Sequence, residues 1–106
     1  MKNVLGIVVT TPVYINYLFK IIKACKKKNK EIKVFIDSKG VHIINFKEFN
    51  ELKELISQEN LYLSINSLLS EGYNLNYIEN KIPFQQLKAP LFYEKFFKEC
   101  EKVLIL

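Results

Sequence analysis

The sequence has few of the residues on which recognisable catalytic and metal sites depend. It contains two cysteines, one histidine and three glycines among 106 residues. Cys25 and Cys100 lie far apart and lack the density of a disulfide-stapled secreted scaffold, so a reducing cytosol suits them. His42, without a second histidine or a suitably spaced cysteine, gives no recognisable zinc site. Because a glycine-rich phosphate loop is also missing, the sequence predicts neither a metal nor a nucleotide cofactor.

Long apolar runs are lacking as well. No run approaches the roughly 18 to 20 residues that cross a bilayer. The apolar stretch at residues 3–9 is soon followed by polar Thr10 and Thr11. A secretory leader would need a longer apolar stretch and a small-residue cleavage site. We therefore expect a cytoplasmic protein with no membrane partner.

The composition provides ample material for one packed core. The chain is 49% apolar and 25% charged, and its length predicts a single domain over residues 1–106. Much of the net charge of +5 lies in Lys26, Lys27, Lys28 and Lys30. Clustered lysines attract nucleic acid, but these lysines end a predicted helix, where the helix dipole favours cations. A nucleic-acid partner is therefore the less favoured interpretation.

The first third of the chain predicts a strand, a helix and a second strand. Residues 3–10 form an almost uninterrupted β-branched apolar run, typical of a strand covered on both faces. Pro12 then opens a helix that continues to about residue 28 with apolar residues at helical spacing. Residues 31–37 form a second short apolar strand. This order predicts a parallel pair with a right-handed crossover, and two-sided burial predicts helices on both faces.

The remaining patterns predict three more strands and three more helices. Residues 41–46 fit either an extended segment or an approach to the next helix. The predicted elements are a helix at 47–58, a strand at 61–65, a short helix ending at Gly72, an edge strand at 82–84, a helix from Pro90 and a strand at 103–106.

Four landmarks in this order resemble the DsrE/DsrF-like family of sulfur-relay proteins, which includes the Tus proteins of tRNA thiolation. They are the opening strand and turn at residues 4–12, the V-x-V-F-x-D-x-x-G-V-like stretch at 32–41, the Leu-Tyr-Leu-Ser strand with the helix that ends Glu-Gly-Tyr at 61–73, and the final strand at 102–106. The resemblance implies a single three-layer α/β/α domain with a mainly parallel sheet of about five strands. It also implies homo-oligomers, or hetero-oligomers with DsrE-like homologues, and in cysteine-bearing members sulfur transfer to a partner carrier protein.

The resemblance breaks at the residue that accepts sulfur. Cysteine-bearing members place it just after the third strand, eight residues before the glycine that ends the short helix, and this position is Ser64. A thiolate attacks sulfane sulfur because it is polarizable and ionises near neutral pH, whereas a serine hydroxyl does neither without a strong base. We therefore expect a non-catalytic subunit or docking partner, in which Ser64 lines the same cleft or caps the following helix.

A relocated sulfur acceptor is the alternative within the same family. Cys25 and Cys100 both fall on the apolar stripes of predicted helices, where a thiol behaves as a small hydrophobe. Inert core cysteines are therefore favoured. Cys25 is the stronger of the two alternative acceptors, because the lysines that follow it would favour a thiolate if the side chain were exposed.

Polar residues follow several of the predicted strands. Since the carboxyl ends of parallel strands meet at one edge of the sheet, these residues predict a binding cleft there, with capping and turn formation as the alternative explanation. A third function, the binding of a small anion or ligand, would use this edge. The candidate cleft residues are Thr10, Thr11, Asp37, Ser38, Ser64 and Asn66.

Overall fold

Five parallel strands form the centre of the protein. The computed structural model describes residues 3–106, so Met1 and Lys2 of the predicted domain lie outside the described residues. The strands stand in the order β4-β3-β2-β1-β5, and every neighbouring pair is parallel. This sheet confirms the predicted α/β fold class. The strands are β1 Val4–Val9, β2 Glu31–Ile36, β3 Leu61–Ser64, β4 Leu87–Lys88 and β5 Lys102–Ile105.

Helices connect the strands. The α-helices are α1 Ile15–Lys27, α2 Glu48–Leu55, α3 Ile65–Ser70, α4 Leu75–Lys81 and α5 Phe92–Glu99. Shorter 3₁₀ segments lie at Pro12–Tyr14, Ser38–Asn45, Gln58–Asn60 and Phe84–Gln86. Within residues 3–106, none of the helices has the length and apolar character needed to pass through a bilayer.

The strand order decides which face of the sheet each helix covers. From β1 to β4 the chain crosses the sheet in one direction, so right-handed crossovers place the first four helices on the same face. The connection from β4 to β5 returns across the sheet and places α5 on the opposite face. Helices therefore lie on both faces, but within residues 3–106 one face is covered by α5 alone, a helix of eight residues.

The two faces consequently hold cores of unequal size. The larger core joins the first four helices to the sheet, and Ile7, Val34 and Leu63 within it are completely buried. The smaller core lies under α5, where the rings of Phe35 and Phe96 meet edge to face at 5.8 Å between centroids. Most of the apolar surface that stabilises the fold is thus buried on one side of the sheet.

The predicted position of the fourth strand, residues 82–84, is wrong. Ile82 instead ends α4, where its N–H donates to the carbonyl of Ile78 at 2.8 Å and its side chain packs in the larger core. The fourth strand is the two-residue β4, which pairs with β3 at the edge of the sheet. The error arises because a short apolar run has no period that separates a strand from the end of a helix.

Gly40 allows the 3₁₀ segment Ser38–Asn45 to pass close to the end of β1. A Cβ at Gly40 would lie 2.4 Å from the carbonyl oxygen of Val9. That oxygen also accepts a hydrogen bond from the backbone N–H of Asp37 at 2.9 Å, which fixes its position. Only glycine fits this close approach, and the approach fixes the place where Asp37 leaves the sheet.

Candidate functional site

A hydrogen-bonded cluster of polar side chains centres on Asp37, immediately after β2. Its Oδ1 accepts a hydrogen bond from Ser67 Oγ of α3 at 2.6 Å, and its Oδ2 accepts one from the Tyr93 hydroxyl of α5. The carboxylate thus joins helices from opposite faces of the sheet. We call Asp37, Ser38, Ser64, Ser67 and Tyr93 the Asp37 network.

The remaining contacts of the network position the first turn of α3. Ser64, the last residue of β3, is 6% exposed, and its Oγ accepts a hydrogen bond from the backbone N–H of Ser67 at 3.1 Å. It is therefore the N-cap of α3. Ser67 Oγ in turn accepts from the backbone N–H of Ser38 at 2.9 Å while it donates to Asp37. Ser38 adopts a positive φ of 51°, and this conformation turns its N–H toward α3.

The electrostatics of the network favour an ionised carboxylate beside a neutral phenol. Burial alone would raise the pKa of Asp37, but hydrogen bonds from Ser67, Tyr93, Ser38 and Ser64 outweigh it and lower that pKa. Burial, the hydrogen bond to Asp37 and the charge of Asp37 all raise the pKa of Tyr93. The phenol therefore remains a donor to the carboxylate at neutral pH.

The network occupies the place where parallel sheets usually bind ligands. The chain leaving β3 goes to one face of the sheet and the chain leaving β4 goes to the other, and parallel sheets usually bind ligands beyond the carboxyl ends of strands whose connections diverge in this way. Tyr93 crosses toward β2 to reach Asp37, so the protein's own side chains bridge this edge. Asp37, Ser38 and Ser64 of the predicted cleft are brought together there.

The other three candidate cleft residues have different positions. The Thr10 hydroxyl donates to the carbonyl of Leu106 at 2.6 Å, and the Thr11 hydroxyl accepts from the N–H of Val13 at 3.3 Å at the start of a 3₁₀ segment. Asn66 is exposed in the first turn of α3. The two threonines therefore act at chain ends and turns, which is the alternative role that the sequence allowed.

The two cysteines pack on opposite faces of the sheet. Cys25 is half-buried against the larger core, and Cys100 is buried in the smaller one. The Cys100 sulfur lies so close to β1 that a Cβ at Gly6 would be 2.6 Å from it. Neither cysteine belongs to the Asp37 network, and both side chains pack among the apolar residues that the helical spacing predicted.

A second polar network, which the sequence did not reveal, surrounds His42. The His42 Nε2 lies 2.9 Å from Glu71 Oε1, and its Nδ1 lies 2.7 Å from the Tyr73 hydroxyl. Asn45 Nδ2 donates to that hydroxyl at 2.8 Å. The side-chain oxygen of Asn45, Oδ1, accepts a hydrogen bond from the Tyr77 hydroxyl at 2.5 Å.

The end of α3 explains why Glu71 and Tyr73 meet His42. The N–H of Gly72 donates to the carbonyl of Leu69 and the N–H of Tyr73 to that of Leu68, which together form a Schellman motif. Gly72 adopts the positive φ of 101° that this motif requires. The hydrogen bond to His42 lowers the pKa of Glu71, against a smaller effect of burial. In the sequence, the glycine after a short helix indicates this turn, but it does not indicate that Glu71 and Tyr73 contact His42.

The networks contain hydroxyls, carboxylates and one imidazole. Within the described residues, no group of three or more histidine, cysteine, aspartate or glutamate side chains is close enough together to hold a metal ion. Searches of protein-family models and of curated proteins found no match to this sequence. The arrangement fits a carboxylate-centred polar junction between the two layers of helices.

Proposed function

We propose that this protein is a DsrE-like, non-catalytic subunit or docking partner in a cytoplasmic persulfide-transfer assembly. It would form homo-oligomers, or hetero-oligomers with cysteine-bearing DsrE-like homologues, and would contact a sulfur-carrier protein. The observation that carries this proposal is the state of Ser64. It stands where the resemblance places the sulfur acceptor, and its hydroxyl is buried and engaged as the cap of α3.

The local chemistry supports binding rather than sulfur transfer. A neutral hydroxyl beside the Asp37 carboxylate is a poor nucleophile toward sulfane sulfur, because it ionises far above neutral pH. Cys100 is buried in the smaller core and Cys25 is half-buried against the larger one, and neither belongs to the Asp37 network. The hydrogen bonds of Ser64 and Asp37 therefore stabilise the conformation of this edge of the sheet.

An exposed apolar patch near the same edge gives the proposed subunit a surface to dock. Val13, Tyr14 and Tyr17 follow the carboxyl end of β1 and are 75%, 54% and 54% exposed. Aromatic side chains that combine apolar area with a hydroxyl are enriched in protein interfaces. A homologous subunit that covers this patch would bury three large side chains that the monomer leaves in water.

The oligomeric state tests the docking role directly. We expect the purified protein to sediment as an oligomer in analytical ultracentrifugation, and Tyr17→Glu to shift it toward monomer. Leu91→Glu is the control, because Leu91 is also a large apolar residue, is 88% exposed and lies at the start of α5, outside the patch. A strictly monomeric protein that also fails to bind a cysteine-bearing homologue would contradict the proposal.

The chemistry is tested by intact-protein mass after exposure to polysulfide under native conditions. We expect no sulfur adduct on the wild type. An adduct that disappears in either Cys25→Ser or Cys100→Ser would instead identify a sulfur carrier with a relocated acceptor. In that case the non-catalytic role is wrong, whatever the oligomeric state.

A further inference from the structure

The sheet face that α5 covers contains a groove of about 790 Å³ beside that helix. Its floor includes Tyr62 of β3 and Lys88 of β4, and Phe92 and Lys95 of α5 form one wall. The opposite wall comes from the segments that precede β3 and β4. This volume lies within the range of about 300–1,000 Å³ that small-molecule sites occupy. We call this space the α5 groove, and it shares no residue with the Asp37 network.

The lining of the α5 groove carries an excess of positive charge. Lys33 Nζ forms an ion pair with Glu99 Oε1 at 3.3 Å, so these two charges compensate each other. Within residues 3–106, neither Lys88 nor Lys95 takes part in an ion pair. Glu59 is the other carboxylate of the lining. Two ammonium groups, those of Lys88 and Lys95, therefore remain against one carboxylate, and the lining has a net charge of +1 that attracts an anion.

The Lys88 ammonium is held in place against two aromatic rings of the groove, those of Tyr62 and Phe92. Its Nζ lies 5.8 Å from the centroid of the Tyr62 ring and 5.2 Å from that of Phe92. The two rings are 4.7 Å apart, and the Tyr62 hydroxyl donates to the carbonyl of Glu59 at 2.6 Å, which fixes the Tyr62 ring. A cation held in this way loses less conformational entropy when an anion binds.

Amide side chains line the wall opposite α5. Gln86 is 2% exposed and its Nε2 donates to the carbonyl of Gln58 at 3.2 Å, so it joins the two segments of this wall. The side chains of Gln58 and Gln85 lie in exposed positions at the groove. Because an amide both donates and accepts hydrogen bonds, these residues suit a polar, hydroxyl-bearing ligand.

We propose that the α5 groove binds a small organic phosphate. Lys88 and Lys95 would contact the phosphate group, and the glutamine wall would contact the polar body of the ligand. Lysine binds phosphate as a compact point charge, and two ammonium groups suit the two negative charges of a phosphate dianion. This site goes beyond the proposed docking role and does not depend on it.

Isothermal titration calorimetry at low salt tests the site with ribose 5-phosphate and adenosine 5′-monophosphate. Ribose and adenosine serve as unphosphorylated controls. We expect saturable binding of at least one phosphorylated compound, weakened about tenfold or more by Lys88→Gln and by Lys95→Gln, since each removes a charge-assisted contact. Lys53→Gln is the matched control for Lys88, because Lys53 lies 5.2 Å from the Phe49 ring on the other face. Lys98→Gln is the control for Lys95 on the same helix.

Three results would overturn the proposal. One is the absence of binding of both phosphorylated compounds to folded wild-type protein at millimolar concentration. Another is equal binding of the unphosphorylated controls. The third is an equal loss of affinity in the Lys53→Gln and Lys98→Gln variants, which would indicate a general effect of net charge. Circular dichroism of each variant separates loss of the site from loss of the fold.

Discussion

The hydrogen bond between Tyr93 and Asp37 gives the sharpest test of the network at the sheet edge. Hydrogen bonds to charged groups contribute about 1.5–3 kcal/mol. Because both residues are half-buried, solvent screening should bring the Tyr93–Asp37 interaction to the lower end, about 1.5 kcal/mol. A double-mutant cycle with Tyr93→Phe and Asp37→Ala, followed by urea unfolding at pH 7, measures this interaction as the coupling energy.

The same cycle predicts a dependence on pH. The folded-state pKa of Asp37 is lowered, so its stabilisation is present above the unfolded value of about 3.9 and is lost as the pH falls through the folded value. The coupling to Tyr93 should decrease over the same acid range. The folded-state pKa of Tyr93 is raised, so its stabilisation is complete below the unfolded value of about 10 and declines as the pH rises above it.

A matched hydrogen bond between neutral groups provides the control. The Tyr77 hydroxyl donates to Asn45 Oδ1 at 2.5 Å, so Tyr77→Phe with Asn45→Ala removes a tyrosine hydrogen bond to an uncharged acceptor. Its coupling should be about 0.5–1 kcal/mol and constant in acid. A Tyr93–Asp37 coupling below about 0.5 kcal/mol, or one that does not change in acid, would refute the reasoning.

Four further substitutions test the backbone fit and the other polar contacts. Gly40→Ala should destabilise the protein by about 2–3 kcal/mol in urea unfolding because its Cβ meets a backbone carbonyl. Gly72→Ala should cost about 1 kcal/mol, from its positive φ alone, and equal costs would contradict the steric argument. Ser64→Ala should cost about 1 kcal/mol through loss of the α3 cap, and an unchanged unfolding midpoint would rule out that role. His42→Ala should raise the Glu71 pKa in a carbon-detected NMR titration, and an unchanged titration would show that His42 does not set it.

The sequence predicts the strands that carry the site better than the contacts within it. Uninterrupted β-branched runs identify β1 and β2, because strands buried on both faces lose the alternation of polar and apolar residues. The end of β2 places Asp37 at the carboxyl edge of the sheet. The partners of Asp37 are not visible in the pattern, since Ser67 lies 30 residues away and Tyr93 lies 56 residues away. Ser67 and Tyr93 each lie in a helix, and the spacing of apolar residues in a helix indicates only which residues face the core.

The irregular region between β3 and α5 is harder to predict for a related reason. Between β3 and α5, short helices and a two-residue strand follow one another, and each is too short to show a period. Ile82 is buried, but it caps the end of α4 instead of forming the predicted strand. The α5 groove lies beside this region, so its lining could not be inferred from periodicity either.

The unequal covering of the sheet divides the molecule into parts of different local stability. Four helices share the larger core, whereas α5 is held by the small aromatic core, by Tyr93 and by the Lys33–Glu99 pair. Detachment of α5 would expose Phe35 and Tyr62 without disturbing the larger core. In hydrogen-exchange terms, α5 should therefore open as a separate cooperative unit at a lower free energy than the strands beneath it. The amides of the strands and of the helices on the larger core would then exchange only with global unfolding, while α5 opens and closes within the native state.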